Sequence, residues 1–335
     1  MVQMKEPCFE REIYLNLCLS VGNFIYLCHL IILEYSRMNR IFALLIIFVL
    51  AFESCKERDP LEGVPSYIRV DEAFVDIASP SQGTAMHNIS DCWLYVDGKT
   101  VGVFEIPFEV PVLSSGKVRI EIEPGIKTSG LDADRDVYTM LTNYVIDTVL
   151  VPYQTMKLTP HYSYRQGVDF IMVESFDQVG TKFEVADSST YQFEMVRDGA
   201  LEGYSMKVNL PANDYTGHFE CRTSDVYPIS EKGVTFLEMS YKCNDYFNFG
   251  MFGVVESATA TSGVRENVIT FYPTDGKWKR IYVNLNYAVT NSSSNCGQFQ
   301  PFYTAIRVDT LSPVGQNSEI FIDNIKLLHI ETEAK

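Results

Sequence analysis

Asp91-Cys92-Trp93-Leu94-Tyr95-Val96-Asp97-Gly98-Lys99-Thr100-Val101-Gly102-Val103-Phe104 decides how the chain is read. Two runs rich in β-branched and aromatic residues flank Asp97-Gly98. That dipeptide readily takes the positive φ angles of a two-residue hairpin turn. Downstream, Val118, Ile120 and Ile122 alternate with Arg119, Glu121 and Glu123, which marks a strand with one buried and one wet face. Further strands fit 67–70, 73–77, 144–151 and 155–158, and helical spacing of apolar residues is hard to find. Residues 67–162 are predicted to form a small all-β sandwich.

The same reading extends to 166–331. Strand-like runs lie at 204–210, 235–243, 246–254, 278–287, 302–309 and 320–328, many of them separated by Gly, Pro, Asn or Ser. Runs at this spacing predict a second, larger β-sandwich. Alternation assigns faces. Ile281, Val283 and Leu285 are expected in the core, with Arg280, Tyr282 and Asn284 on the outer face and Trp278 at its edge. In the next run Phe302, Thr304 and Ile306 share one face, and Tyr303 and Arg307 point away from it. Phe247, Phe249 and Met251 suit the core, which leaves Tyr246, Asn248 and Phe252 on the opposite side. A sheet face carrying planar aromatics and fixed amide or guanidinium donors suits sugar. Ring C–H groups stack on aromatic planes and hydroxyls need partners. Trp278, Arg280, Tyr282, Asn284, Tyr303 and Arg307 are therefore the candidate glycan-binding residues, weighed against an ordinary outer face stabilised by cross-strand pairs.

Composition sets limits. The 335 residues carry a net charge of −16, so a phosphate-backbone ligand meets repulsion and nucleic acid is not an expected partner. The 20 Tyr and 21 Phe suit strands better than helices. No Gly-x-Ser-x-Gly elbow, His-Glu-x-x-His, P-loop or dinucleotide-binding glycine motif occurs, and the expectation is a protein without catalytic residues. Cys92, Cys221, Cys243 and Cys296 follow the leader without a Cys-x-x-Cys. They are either disulfide partners, with Cys221–Cys243 the pair considered, or buried thiols packed as small apolar groups.

The N-terminal end carries its own signal. Met38-Asn39-Arg40 opens a basic head, an apolar run follows, and Phe52-Glu53-Ser54 precedes Cys55. This is the pattern of a secretion signal over 38–55. Residues 1–37 are read as an over-extended start, the alternative being a hairpin of two membrane helices. A linker is expected over 56–66.

Three resemblances add to this. Phe52-Glu53-Ser54-Cys55 followed by Lys56-Glu57-Arg58-Asp59 resembles surface lipoproteins of the Bacteroidetes type. That likeness implies a lipidated Cys55, a membrane partner through the lipid anchor, and an outer-membrane location facing the exterior. Leu94 to Gly102, Pro107 and Gly116 to Ile120 resemble small immunoglobulin-like modules of the PEGA type, which serve as spacers or interaction domains. Glu174-Ser175-Phe176-Asp177, Gly276 to Val283 and Ile320 to Ile325 resemble a galactose-binding-like, carbohydrate-binding jelly roll. From that likeness follow a polysaccharide partner and a structural Ca²⁺ at Glu174 and Asp323. The fold class expected is all-β: signal, small immunoglobulin-like sandwich, then jelly roll. Two functions are carried forward, a glycan-binding surface lipoprotein and a structural one that docks other envelope proteins.

Overall fold

The structure, a computed structural model, describes residues 63–131, 133–256, 261–293 and 296–331. The expected extension over 1–37, the signal with Cys55 and most of the linker lie outside these residues.

Ten strands form the first part: β1 (Ser66–Val70), β2 (Phe74–Asp76), β3 (Asp91–Val96), β4 (Lys99–Glu105), β5 (Phe108–Val112), β6 (Gly116–Lys127), β7 (Arg135–Val137), β8 (Tyr144–Leu150), β9 (Thr155–Leu158) and β10 (His161–Ser163). The Asp97-Gly98 turn forms as the sequence requires, with φ of 50° and 72°. Strands β4, β3 and β6 run side by side, and both β7 and β8 pair with β6. A second sheet, β5-β1-β9, faces them, and Ile68, Val70, Leu94, Val96, Ile120 and Ile122 fill the space between.

The second part holds β11 (Val168–Glu174), β12 (Phe183–Val185), β13 (Phe193–Val196), β14 (Ser205–Leu210), β15 (His218–Thr223), β16 (Tyr227–Pro228), β17 (Val234–Cys243), β18 (Phe247–Glu256), β19 (Thr261–Phe271), β20 (Lys279–Asn284), the helix α1 (Asn286–Ser293), β21 (Gln298–Ile306) and β22 (Ser318–Ile330). This is a jelly-roll β-sandwich. One sheet has the order β13-β14-β22-β17-β20, with β11 also on β22. The other has the order β12-β15-β21-β18-β19, with β16 on β21. Leu237, Met239, Phe247, Phe249, Ile281, Val283, Tyr303, Ile322 and Leu327 pack between the two. The strand expected over 278–287 stops at Asn284, whose side-chain carbonyl accepts the Asn286 N–H at 2.9 Å and opens α1 instead.

A third core crosses the expected boundary at 162–166. Ile126, Tyr138, Met140, Leu141 and Tyr162 from the first part pack on Phe236, Tyr282 and Leu328 from the second. The Tyr138 ring meets Phe236 edge-on at 5.2 Å and Tyr282 at 4.8 Å. Such pairs contribute about 0.5–1.5 kcal/mol each beyond burial. The small sandwich is therefore packed against one outer face of the jelly roll. We refer to that sheet as the covered sheet and to β12-β15-β21-β18-β19 as the open sheet.

All four described cysteines are free and buried. Cys221 lies in the open sheet and Cys243 in the covered one, so the considered cross-strand pair is not formed. Burial pushes the Cys92 and Cys243 thiols up to about 12, which leaves them protonated and unreactive at neutral pH.

Candidate functional site

Alternation placed Arg280 and Tyr282 on the correct face of β20. The structure corrects what lies over that face. Arg280 and Tyr282 are buried beneath the small sandwich and present no surface to a glycan. Arg280 Nη2 donates to Glu238 Oε2 at 2.5 Å, and its Nη1 reaches Ser240 Oγ and the Asn324 carbonyl, both at 3.2 Å. Tyr138 Oη donates to Glu238 Oε1 at 2.6 Å and Tyr164 Oη at 3.0 Å, while Lys326 Nζ stands 4.0 Å from Oε2. Burial alone would raise the Glu238 pKa, but Arg280 and then Lys326 outweigh it and hold the carboxyl below its usual range. Burial lowers Lys326 to about 8 against the pull of Glu238. The Tyr282 hydroxyl accepts the Asn88 N–H at 2.8 Å, so a loop of the small sandwich is tied to β20 as well.

Tyr303 and Arg307 are also corrected. Tyr303 points between the sheets, its ring 5.3 Å from Phe249 and its hydroxyl 3.5 Å from Met239 Sδ. Arg307 is buried and holds the loop after β21, donating to the carbonyls of Gln316 at 3.0 Å and Pro313 at 2.6 Å and to Ser318 Oγ. Of the six expected residues only Trp278, half-buried, and Asn284, exposed, remain accessible.

The residues expected to hold calcium do other work. Glu174 accepts N–H groups from Phe176 at 2.8 Å and Lys182 at 2.7 Å, with Thr181 Oγ1 at 3.2 Å. Donors aimed at both oxygens organise a loop and do not suit a hard cation, which needs an oxygen shell. Asp323 accepts Ser205 Oγ at 2.7 Å and the Asn324 N–H at 2.7 Å. Among the described residues no group of three or more His, Cys, Asp or Glu could hold a metal ion.

Asp323 carries a pH prediction. Burial raises its pKa from 3.8 to about 6 against its hydrogen bonds. The folded state therefore binds more protons than the unfolded state between these values. The associated stability is present below 3.8 and is lost as pH rises through 6. The unfolding free energy of the wild type relative to Asp323→Asn, read from urea titrations, is expected to fall between pH 4 and pH 7 by on the order of 2–3 kcal/mol. A difference that stays flat with pH would contradict this.

The open sheet offers a different surface. Its outward residues follow from register: Glu220, Thr304, Asn248 and Thr270 lie in one row, Arg222, Phe302, Gly250 and Asn267 in the next, and Gln300, Phe252 and Arg265 beyond them. Two glycines shape this face. A Cβ at Gly250 would stand 2.2 Å from Phe302 Cζ, and one at Gly263 would stand 2.2 Å from Phe252 Cζ. The tip of each ring therefore lies over a glycine of the sheet, in space that a Cβ would fill. Over Phe302 sits the Arg265 guanidinium, 3.9 Å from the ring centre. Glu220 holds that guanidinium with two bonds of 2.9 and 3.0 Å. Phe302 is buried by this arrangement, whereas Phe252 stays half-exposed. Gly250→Ala would drive a methyl within 2.4 Å of the Glu266 carbonyl, a backbone atom that cannot swing away. The expected cost is about 1–3 kcal/mol, read as a shift in urea midpoint at unchanged slope. No loss would mean that Phe302 does not lie on Gly250.

Sequence reasoning placed Asn248 and Phe252 on this side of β18 but missed β19 and with it Arg265. The signal was present in Gly250 and Gly263, since an interior strand glycine marks a close approach.

No protein-family model matches the sequence, and no curated protein matches it. Solved structures align with about half of the chain or slightly less. The CBM22-1 xylan-binding domain from Paenibacillus barcinonensis Xyn10C is 9% identical, covering 50% of this chain and 99% of its own, with a TM-score of 0.34. The CBM22-1-GH10 modules of Clostridium thermocellum Xyn10B, complexed with xylohexaose, are 11% identical over 49% of this chain and 29% of that one, with a TM-score of 0.33. TmCBM61 in complex with beta-1,4-galactotriose is 12% identical over 44% of this chain and 88% of that one, with a TM-score of 0.26. Likeness at this level establishes neither family nor ligand.

Proposed function

We propose that the chain is a non-catalytic, exported protein, anchored to the outer membrane through a lipid on Cys55, that holds polysaccharide on the outer face of its open sheet. The observation that carries this reading is the contrast between the two jelly-roll sheets. One outward face is sealed by the small sandwich over a buried ion cluster. The other keeps a half-exposed Phe252 ring, laid across Gly263, beside the Arg265 fork, with Asn248, Asn267, Thr270 and Thr304 around them. The ring takes the C–H face of a sugar, and the amides, hydroxyls and guanidinium take its hydroxyls. Each arginine here lies near a glutamate, Arg265 by Glu220 and Arg222 by Glu184 at 3.7 Å, so the face suits an uncharged glycan.

Native electrophoresis of the chain through gels containing neutral polysaccharides tests this. At least one is expected to retard the wild type. Phe252→Ala should weaken retention about five-fold or more, the equivalent of ~1 kcal/mol of stacking. Asn284→Ala, at the accessible end of the covered sheet, should behave as wild type. Retention by no neutral polysaccharide, or retention unaltered in Phe252→Ala, would count against the reading.

A further inference from the structure

A second concave surface lies where the loops of the small sandwich meet the side of the jelly roll. It is a cleft of about 1010 Å³ between the 86–88 and 127–131 loops, the edge of β20 and the end of β19. Trp278 stands half-exposed at one wall, and Tyr272, 64% exposed, at another. Asn88 and Ser129 bring an amide and a hydroxyl to the lining. The walls are fixed. Ser129 N–H donates to the Tyr282 carbonyl at 2.7 Å, and Asn88 Nδ2 donates to the Arg280 carbonyl at 3.2 Å, so ligand entry need not order the loops.

Its charge departs from that of the chain. The sequence has 43 acidic and 27 basic residues, yet none of the 19 residues lining this cleft is Asp or Glu, while Lys127, Lys279 and Arg280 all line it. Arg280 is committed to Glu238, and Lys127 is held by Glu105 at 3.2 Å. Lys279 is exposed beside Trp278, and among the described residues no carboxylate pairs with it.

We propose that this cleft is a second saccharide site, separate from the open sheet, and that it takes a carboxylate-bearing (uronic acid) sugar. Trp278 and Tyr272 supply planes for the sugar ring, Asn88 and Ser129 supply partners for its hydroxyls, and Lys279 meets the carboxylate. In the open sheet each arginine has a glutamate beside it that offsets its charge and repels a carboxylate, whereas Lys279 has none. The two sites therefore divide glycans by charge. Clefts at the junction of two packed modules are common ligand sites, with a few polar groups setting specificity.

The test is native electrophoresis of the full chain through alginate, polygalacturonate and hyaluronan, with methyl-esterified polygalacturonate as the uncharged counterpart. At least one polyuronate is expected to retard the chain and the ester is not. Lys279→Glu, an exposed substitution, should weaken polyuronate retention ten-fold or more and leave neutral-polysaccharide retention as in wild type. Phe252→Ala should do the reverse, which separates failure of this site from failure of the open-sheet reading. Trp278→Ala should also reduce polyuronate retention, but Trp278 packs near Phe321, so Lys279→Glu is the deciding variant. Retention by no polyuronate, equal retention by the ester, or no effect of Lys279→Glu would overturn the proposal.

Discussion

Glu238→Gln is expected to destabilise the folded chain by about 3–5 kcal/mol, the usual cost of leaving a buried charge unpaired. Glu238 is 1% exposed, and among the described residues its carboxylate is the one that lies within 4.0 Å of both Arg280 and Lys326. The amide keeps the shape and can still accept from Tyr138 and Tyr164, so packing is not the source of the loss. Two cations then lie in a dry interface without a counter-charge. Replacing all three by apolar residues, as Glu238→Leu, Arg280→Met and Lys326→Met together, should cost much less, because no ion is left behind. Urea denaturation at pH 7 reads both. The comparison decides what the cluster does. A small loss in the triple variant means that the ions fix how the small sandwich sits on the sheet and add little net stability. A loss in the triple variant as large as in Glu238→Gln would show that the cluster itself holds the two parts together.

Arg265→Ala is expected to weaken retention by neutral polysaccharide by ten-fold or more while leaving the fold nearly intact. The side chain is 43% exposed, so its ion pair with Glu220 is worth under about 1 kcal/mol to stability. To a ligand it offers more. A hydrogen bond from a charged donor is worth about 1.5–3 kcal/mol, which is ten-fold or above in affinity. Glu220 fixes the fork and Phe302 supports it from below at 3.9 Å, so little ordering remains to be done on binding. Arg265→Lys should not restore retention, because an ammonium neither lies flat on the ring nor presents two parallel donors. Gel retention together with a thermal melt checks this. Full retention in Arg265→Ala would remove Arg265 from the site.

How much of this was legible depended on how each strand buries its two faces. Val118, Ile120 and Ile122 alternate with charged residues and were assigned correctly, because one face of β6 is core and the other wet. In β20 the alternation also identified the core set, Ile281, Val283 and Leu285. It could not reveal that Arg280 and Tyr282 meet the small sandwich, since a polar residue within a buried network reads like one in water. In β21 the faces were misread: Tyr303 and Ala305 lie in the core, and Ile306 faces out. Phe302 and Tyr303 are both buried, one under Arg265 and one between the sheets, so hydrophobicity gives no contrast there. Strand β19 escaped because a bulge at Phe249/Gly250 and the glycine at 263 break its pattern. Helix α1, read as Asn-Tyr-Ala-Val-Thr-Asn-Ser-Ser, has few good helix formers and no apolar stripe.

The most direct measurement is a side-chain NMR titration of the chain with a neutral oligosaccharide taken from whichever polysaccharide retards it. Asn, Gln and Arg side-chain N–H signals report each face separately. The expected result is that Asn248, Asn267 and Arg265 shift together and saturate, while Asn284 and Asn88 stay still. Shifts gathered at Asn284 and Asn88 with the open-sheet signals unmoved, or no shift at any of them, would contradict the assignment of the open sheet as the ligand face.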